Sequence, residues 1–424
     1  FDENVEISQY PDIPNNEFTR DEILSMLAKE MLDAAEQLPA SQPEVGRIHK
    51  YIALAYAAKI KLYQAYQQDE ITHAVTSINK ELLREVVSLC DQVTASNRYG
   101  LLDDFQGLDL VTNENGKESV FAIQYSMNDG TESAGRINWS NLLNSPGGGS
   151  PYGGDGFFLP SQDLINAYQT DANGLPDFNY QSKSDYSWAV LNNGVYTLQN
   201  TTPNVDPRLD FVVGRPTITW KTYPDKPCEG WVRDKETYGY NCAKRFWVSP
   251  ESSDMFNGWP WGASQLNWQI IRYADILLWK AEALIELNEG NGLETARDLI
   301  NQIRNRARNS AYVKDFNDHS KYAANYLVDP YPADVWNQDY ARQALRWETR
   351  LEKALEGERF FDLVRWGIVE TTMNKYITAE SDNRIYYANA HFTGGKDEYY
   401  PVPNNQYGFS GGKYVQNPGY APFN

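Results

Sequence analysis

The chain has 424 residues, 41% hydrophobic and 22% charged, which allows a large buried core and excludes a disordered polypeptide. Its 38 basic and 57 acidic residues leave a net charge of −19, which argues against nucleic acid and anionic membrane surfaces and leans away from polyanionic ligands. Aromatic residues make up 13%, and tyrosine and tryptophan beyond core needs belong on binding surfaces. No apolar run approaches the roughly 18 to 20 residues of a membrane helix, and no secretory signal is present. Three cysteines are too few for a disulfide framework. Cys90 falls in a helical pattern as a small hydrophobe, while Cys228 and Cys242 are candidates for a bridge.

Residues 1–16 carry Pro11 and Pro14 and read as an extended lead-in. Thr19 and Glu22 form a capping box ahead of a helix striped by Ile23, Leu24, Leu27, Met31, Ala34, Ala35 and Leu38, which Pro39 ends. His49–Tyr66 is Ala-rich and periodic; Ala53, Ala57 and Ala58 let an antiparallel partner, Glu81–Ala95, approach closely. From Leu101 to Gln265 helical periodicity fades into Gly, Pro, Asn and aromatic residues, with short strand candidates at Ser119–Tyr125 and Leu209–Val213. The glycine-rich run Pro146–Gly156 lacks the residues of a phosphate cradle. Ser161 caps a short helix within Phe157–Gln169. Gln269–Arg308 holds the best helix pair, with its turn at Asn288–Gly292. Asp315–Tyr340 is an aromatic, Asp-rich insertion whose Asp329, Asp334 and Asp339 fit no calcium loop.

The stretch Arg346–Gly367 organises the rest. Trp347, Leu351, Ala354 and Leu355 share one helix face, Glu348, Arg350, Glu352 and Lys353 read as its solvated face, and Gly357 interrupts the helix. Phe360, Phe361, Leu363 and Trp366 follow as an aromatic second arm that plugs a core, with Asp362 and Arg365 spaced for an ion pair. The order of types resembles the E-x-R-x-E-x-A-x-E-G-x-R-x-F-D-L-x-R-W-G block of the SusD/RagB family of outer-membrane nutrient-binding lipoproteins. Lys353 stands where that family usually has an apolar residue, and Thr349 where it often has Arg. Four further segments resemble family motifs in the same order: Gly156–Tyr168, Asp206–Leu209, Arg272–Leu284 and the tail from Glu398 to Tyr420.

The resemblance implies a mainly α, tetratricopeptide-like scaffold, in one SusD-like domain spanning 1–424, with a large loop-rich insertion. Helices are expected at about 17–98, 265–310 and 340–370, and the ligand-bearing loops at about 100–264. It also implies a longer precursor, because residues 17–66 resemble the family's mid-sequence helices; the lipid-anchored start and first helical repeat are then missing here. The implied function is non-catalytic capture of an oligosaccharide or polysaccharide, with the net charge leaning towards a neutral one, and delivery to a SusC-like TonB-dependent transporter. The alternative within the family is capture of a peptide, as in the RagB branch. A glycoside hydrolase is a third possibility without sequence support: His49, His73, His319 and His391 show no metal spacing, and no nucleophile elbow occurs. No cofactor or metal is expected.

Sugar rings stack on flat aromatics and hydrogen-bond at their rims, so the densest aromatic loop region, Thr219–Gln265, is the candidate site. Trp220, Tyr223, Trp231, Trp247, Asn257, Trp259 and Trp261 are the expected ligand-binding residues. Trp259 and Trp261 flank Pro260 between glycines, the arrangement of a presented loop.

Overall fold

The computed structural model describes residues 5–132, 135–139, 142–144, 147, 149–187, 189–192, 195–198, 203–222, 230–258 and 261–423. Helices carry the architecture. They are α1 (Arg20–Gln37), α2 (Lys50–Ala65), α3 (Lys80–Ala95), α4 (Gln162–Ala167), α5 (Arg208–Val212) and α6 (Lys235–Tyr238). The second half holds α7 (Tyr273–Leu287), α8 (Gly292–Asn309), α9 (Gln338–Glu352), α10 (Arg359–Arg365), α11 (Val369–Ser381) and α12 (Asn404–Phe409).

The long helices stack as tetratricopeptide-like pairs: α1 on α2, α2 on α3, α3 on α7, and α7 on α8 and α9. The capping box at Thr19 forms, with the Thr19 side chain accepting from the Glu22 amide and Glu22 accepting from the Thr19 amide at 2.8 Å. Ala53, Ala57 and Ala58 are buried where α2 meets its neighbours. α7 is buried almost all round, as expected of a helix apolar on every face. At the edge of the stack the expected stripe of α1 is only half used. Ala28 and Ala35 are buried, while Ile23 and Leu27 face solvent.

The loop-rich region enters the stack through an antiparallel pair, Ser119–Ile123 with Trp268–Arg272. Two local expectations change there. Residues 268–272 are strand, so the helix starts at Tyr273, with Arg272 as its cap and Asp275 bonding back to the Arg272 amide. Leu209–Val213 is mostly the one-turn helix α5, because Pro207 (φ −60°, ψ −21°) presets helical geometry ahead of it.

The signature stretch departs from its expected face assignment. Glu348, Glu352 and Lys353 are buried, and Phe361 is the residue that faces solvent. The acids escape water because arginines far along the chain meet them. Arg208 pairs with Asp206 (2.7 Å), Glu348 (2.6 Å) and Glu352 (3.2 Å). Arg304 adds a bond to Glu348 at 3.1 Å, and Arg306 reaches Glu352 and, at 3.1 Å, Glu118. Arg272 spans Glu118 (2.8 Å), Glu352 (3.0 Å) and Glu356 (2.7 Å). Burial alone would raise the Glu352 carboxyl, yet Arg306, Arg272 and Arg208 hold it at about 2. The second arm docks through Glu282, which accepts from Tyr66 (2.7 Å), Trp366 (2.9 Å) and Arg365. The expected Asp362–Arg365 pair forms at 2.9 Å.

Candidate functional site

The ionic lattice continues from the helices into the loops. Arg245 bridges Glu356 (3.2 Å) and Asp109 (3.0 Å), and Lys221 meets the other oxygen of Asp109 at 3.0 Å. Burial works against an ionised Asp109, but Arg245 and Lys221 hold its carboxyl below the usual range. The segments around 220 and 245 are therefore tied rigidly to the scaffold.

Between these anchors lies an aromatic core. Tyr152, Trp220, Trp231 and Trp247 bury against one another with Val232 and Cys242. Ring centroids are 4.9 Å apart for Trp220 and Trp231 and 5.1 Å for Tyr152 and Trp247. The ring of Trp220 lies so close to Gly214 that a Cβ there would sit 2.1 Å from it. Trp220 and Trp231 are each 1% exposed and Trp247 is 2% exposed. No face of these rings is open to a sugar, which corrects their expected role as a stacking platform; they are the interior that supports the loops. Polar ends are satisfied inside the cluster, since Trp220 Nε1 donates to the Tyr152 hydroxyl, which donates to the Val248 carbonyl.

Above this core the loops present rings outward. Trp261 is 58% exposed, Trp139 46% and Phe157 73%. The backbone gathers them. Asn138 donates to Ser264 at 2.8 Å, joining the Trp139 loop to the Trp261 loop. The Phe157 amide donates to Leu143 at 3.0 Å. Gly153 and Gly262, both at positive φ, let the 147–157 loop lie against Trp261; a Cβ on Gly262 would meet the Tyr152 carbonyl at 2.8 Å. Polar groups stand on the same loops: Arg233 holds Asp155 at 2.9 Å and the Gly154 carbonyl at 3.2 Å, and Asn257 is exposed. Flat apolar faces beside fixed donors and acceptors are the parts that an oligosaccharide requires.

Of the seven expected contact residues, Trp261 and Asn257 are thus at the surface, and Trp220, Trp231 and Trp247 are core. Tyr223 and Trp259 lie outside the described residues. Trp139, Asp155 and Phe157 join the candidate site from segments the aromatic density did not single out, with Asp155 held by Arg233 of the expected region. The glycine-rich run beside Phe157 was the available signal. Cys242 is a buried free thiol, and Cys228 lies outside the described residues. Asp329 pairs with Arg308 (2.8 Å) and Asp339 with Arg342 (3.2 Å). Among the described residues no group of three or more cation-ligating side chains occurs, and no helix is long and apolar enough to cross a membrane.

Comparison with known proteins agrees with the fold. No curated protein sequence matches the chain. A SusD-like carbohydrate binding protein from Bacteroides fragilis NCTC 9343 is 19% identical, with a TM-score of 0.63 over 96% of this chain and 73% of that one. A laminarin binding SusD-like protein is 20% identical, with a TM-score of 0.51 over 94% of this chain and 69% of that one. Surface glycan-binding protein A from Bacteroides thetaiotaomicron is 16% identical, with a TM-score of 0.54 over 96% of this chain and 72% of that one. The model of the SusD family matches residues 117–420, most of the chain, and the protein belongs to that family.

Proposed function

We propose that this protein captures an oligosaccharide or polysaccharide without chemical change, on the loop face that carries Trp139, Phe157 and Trp261. The observation that carries the reading is the outward presentation of these rings beside Arg233, Asp155 and Asn257, above a buried aromatic base. Stacking of a sugar on each ring contributes about 1 kcal/mol beyond the area it buries, so several rings and rim hydrogen bonds act together. Membership of the SusD family supports the reading, as do the laminarin and glycan ligands named for two proteins of similar fold. By the same reasoning the bound glycan is neutral, the protein sits on the outer-membrane surface through a lipid anchor, and it delivers its cargo to a SusC-like TonB-dependent transporter.

Native gels cast with neutral and acidic polysaccharides test this. Retardation by a neutral glycan that is recovered at full length, and loss of that retardation in Trp261→Ala, are the expected results. Free passage through every gel, or shortening of the glycan, would sink the proposal; the first would favour a peptide cargo and the second a hydrolase.

A further inference from the structure

A pocket of about 370 Å³ opens where the loop between α1 and α2 faces the end of α3 and the strand Ser119–Ile123. No residue of the aromatic platform lines it. Its walls are fixed in place. Gly46, at φ +82°, lets the 42–47 loop lie on Gln124; a Cβ there would sit 2.4 Å from the Gln124 side chain. The Gln42 side chain closes the same loop by donating to the Ile48 carbonyl at 3.0 Å. Gln124 in turn exchanges two side-chain bonds with Asn115 of the opposite wall, at 2.9 and 3.0 Å.

His49 lines this pocket at the start of α2 and is only 8% exposed. It precedes the helix, yet its side chain makes no capping bond. Its Nε2 lies 3.2 Å from the Tyr99 hydroxyl, and its Nδ1 has no hydrogen-bond partner. A buried ring nitrogen left unpaired calls for an explanation, and the surrounding charge supplies one. Arg98, just beyond α3, is exposed and forms no ion pair among the described residues; it acts on the Tyr99 hydroxyl and on His49 itself. Arg47 and Lys117, from two further segments, hold exposed carboxylates, Glu44 at 3.5 Å and Asp103 at 2.8 Å. Pairs so exposed contribute little and yield to a better-placed anion. Glu44 is the single carboxylate among the residues lining the pocket, in a chain where acids outnumber bases by 57 to 38. The 16-residue helix α2 adds the positive end of its dipole. Val45, Ile52 and Phe121 give the pocket an apolar side. Its volume is near the lower end for small-molecule sites, enough for one sugar-sized molecule and too little for a polymer.

We propose that this pocket binds a small oxyanion, a carboxylate, sulfate or phosphate group on a body no larger than a monosaccharide. The anion sits among Arg98, Lys117 and His49, and the apolar face of the body lies against Phe121 and Val45. The site is separate from the platform and takes a charged ligand where the platform takes a neutral one. Gels read the platform and a titration of His49 reads the pocket, so either proposal can fail alone.

Calorimetry and proton NMR of the histidine rings, with galacturonate, inorganic sulfate and galactose as probes, decide the matter. Both anions are expected to bind saturably and to move one histidine signal, the one missing from His49→Gln; galactose is expected to do neither. Binding should be about threefold or more tighter at pH 5.5 than at pH 8, because a protonated His49 favours the anion. The other charged or titratable groups around His49 are Arg98 and Tyr99 beyond α3, Tyr51 of α2, Arg47 and Glu44 on its own loop, and Lys117 across the pocket. Arg98→Gln removes an exposed side chain, so it should keep the melting temperature and weaken both anions about tenfold or more. Arg84→Gln, an equal loss of charge on α3 outside the pocket, should leave binding unchanged. Galacturonate bound about tenfold tighter than sulfate assigns the pocket to a sugar acid, and equal affinity assigns it to the free anion; both uphold the proposal. Galactose binding as tightly as galacturonate, no saturable binding of either anion up to about 50 mM, or equal weakening in Arg84→Gln and Arg98→Gln overturns it.

Discussion

The indole of Trp220 donates to the hydroxyl of Tyr152 at 2.9 Å, with both rings withdrawn from solvent. That bond closes a core under the loops, and it separates the rings that hold the structure from the exposed rings proposed to meet a glycan. Trp220→Ala is expected to destabilise the protein by roughly 3–5 kcal/mol, the usual loss for a large core aromatic. Trp261→Ala should leave the unfolding midpoint within about 0.5 kcal/mol and weaken glycan retention about tenfold or more. Chemical denaturation and affinity gels on the two variants check the contrast. A stable Trp220→Ala, or an unstable Trp261→Ala, would reverse the assignment.

The buried lattice around Glu352 makes a second prediction. Arg208→Met leaves Asp206, Glu348 and Glu352 short of a partner in a water-free environment. The expected cost is about 3–5 kcal/mol, the range for breaking a buried ion pair on one side. Urea unfolding measures it, and a change under 1 kcal/mol would mean that Arg304, Arg306 and Arg272 suffice without it.

Two carboxylates give the stability opposite slopes with pH. Glu352 is held at about 2, below its ordinary 4.5, so its contribution is complete above 4.5 and is lost as pH falls towards 2. Glu114 is pushed up to about 7 by burial, against the bond it accepts from the Asn267 amide, and with Asp254 nearby. The folded protein therefore holds that proton more tightly than the unfolded chain between 4.5 and 7, and stability falls as pH rises through the window. Glu114→Gln keeps an acceptor for Asn267 and should raise the melting temperature at pH 8 with little change at pH 5. Parallel melting curves for wild type and variant at both values would remove Glu114 from the account.

Gly262→Ala should loosen the platform while sparing the helices. The residue sits at φ +78°, and its added Cβ would meet the Tyr152 carbonyl, so the loop must shift and carry Trp261 with it. Weaker glycan retention with an unchanged helical circular-dichroism spectrum is the expected result. Full retention would show that the ring tolerates the movement.

The helices were legible because apolar spacing is a local property: α1, α2, α3 and α8 fall within a few residues of where their stripes place them. The acids of the signature were misread for a physical reason. Charges at alternate helix positions are ordinarily solvated, and what buries Glu348 and Glu352 is an arginine more than a hundred residues away that no local pattern reveals. The tryptophans divide likewise. Short-range composition places Trp220, Trp231, Trp247 and Trp261 in loops, but whether a ring turns in or out depends on Tyr152 and Gly214, which come from other segments. Trp261 was legible because its flanking glycine marks a sharp, presented turn.

Arg208 and Glu348 are 140 residues apart in sequence yet share one buried bond. During synthesis, Arg208 leaves the ribosome long before Glu348 does, and Arg272 at the cap of α7 and Arg304 and Arg306 of α8 likewise wait for α9. Until then these cations have no interior to enter, and the loop region they anchor stays unlocked. The last third of the chain thus acts as the latch for the middle third. A nascent or truncated chain that stops before Gln338 would hold these loops open, exposed to proteases and chaperones alike.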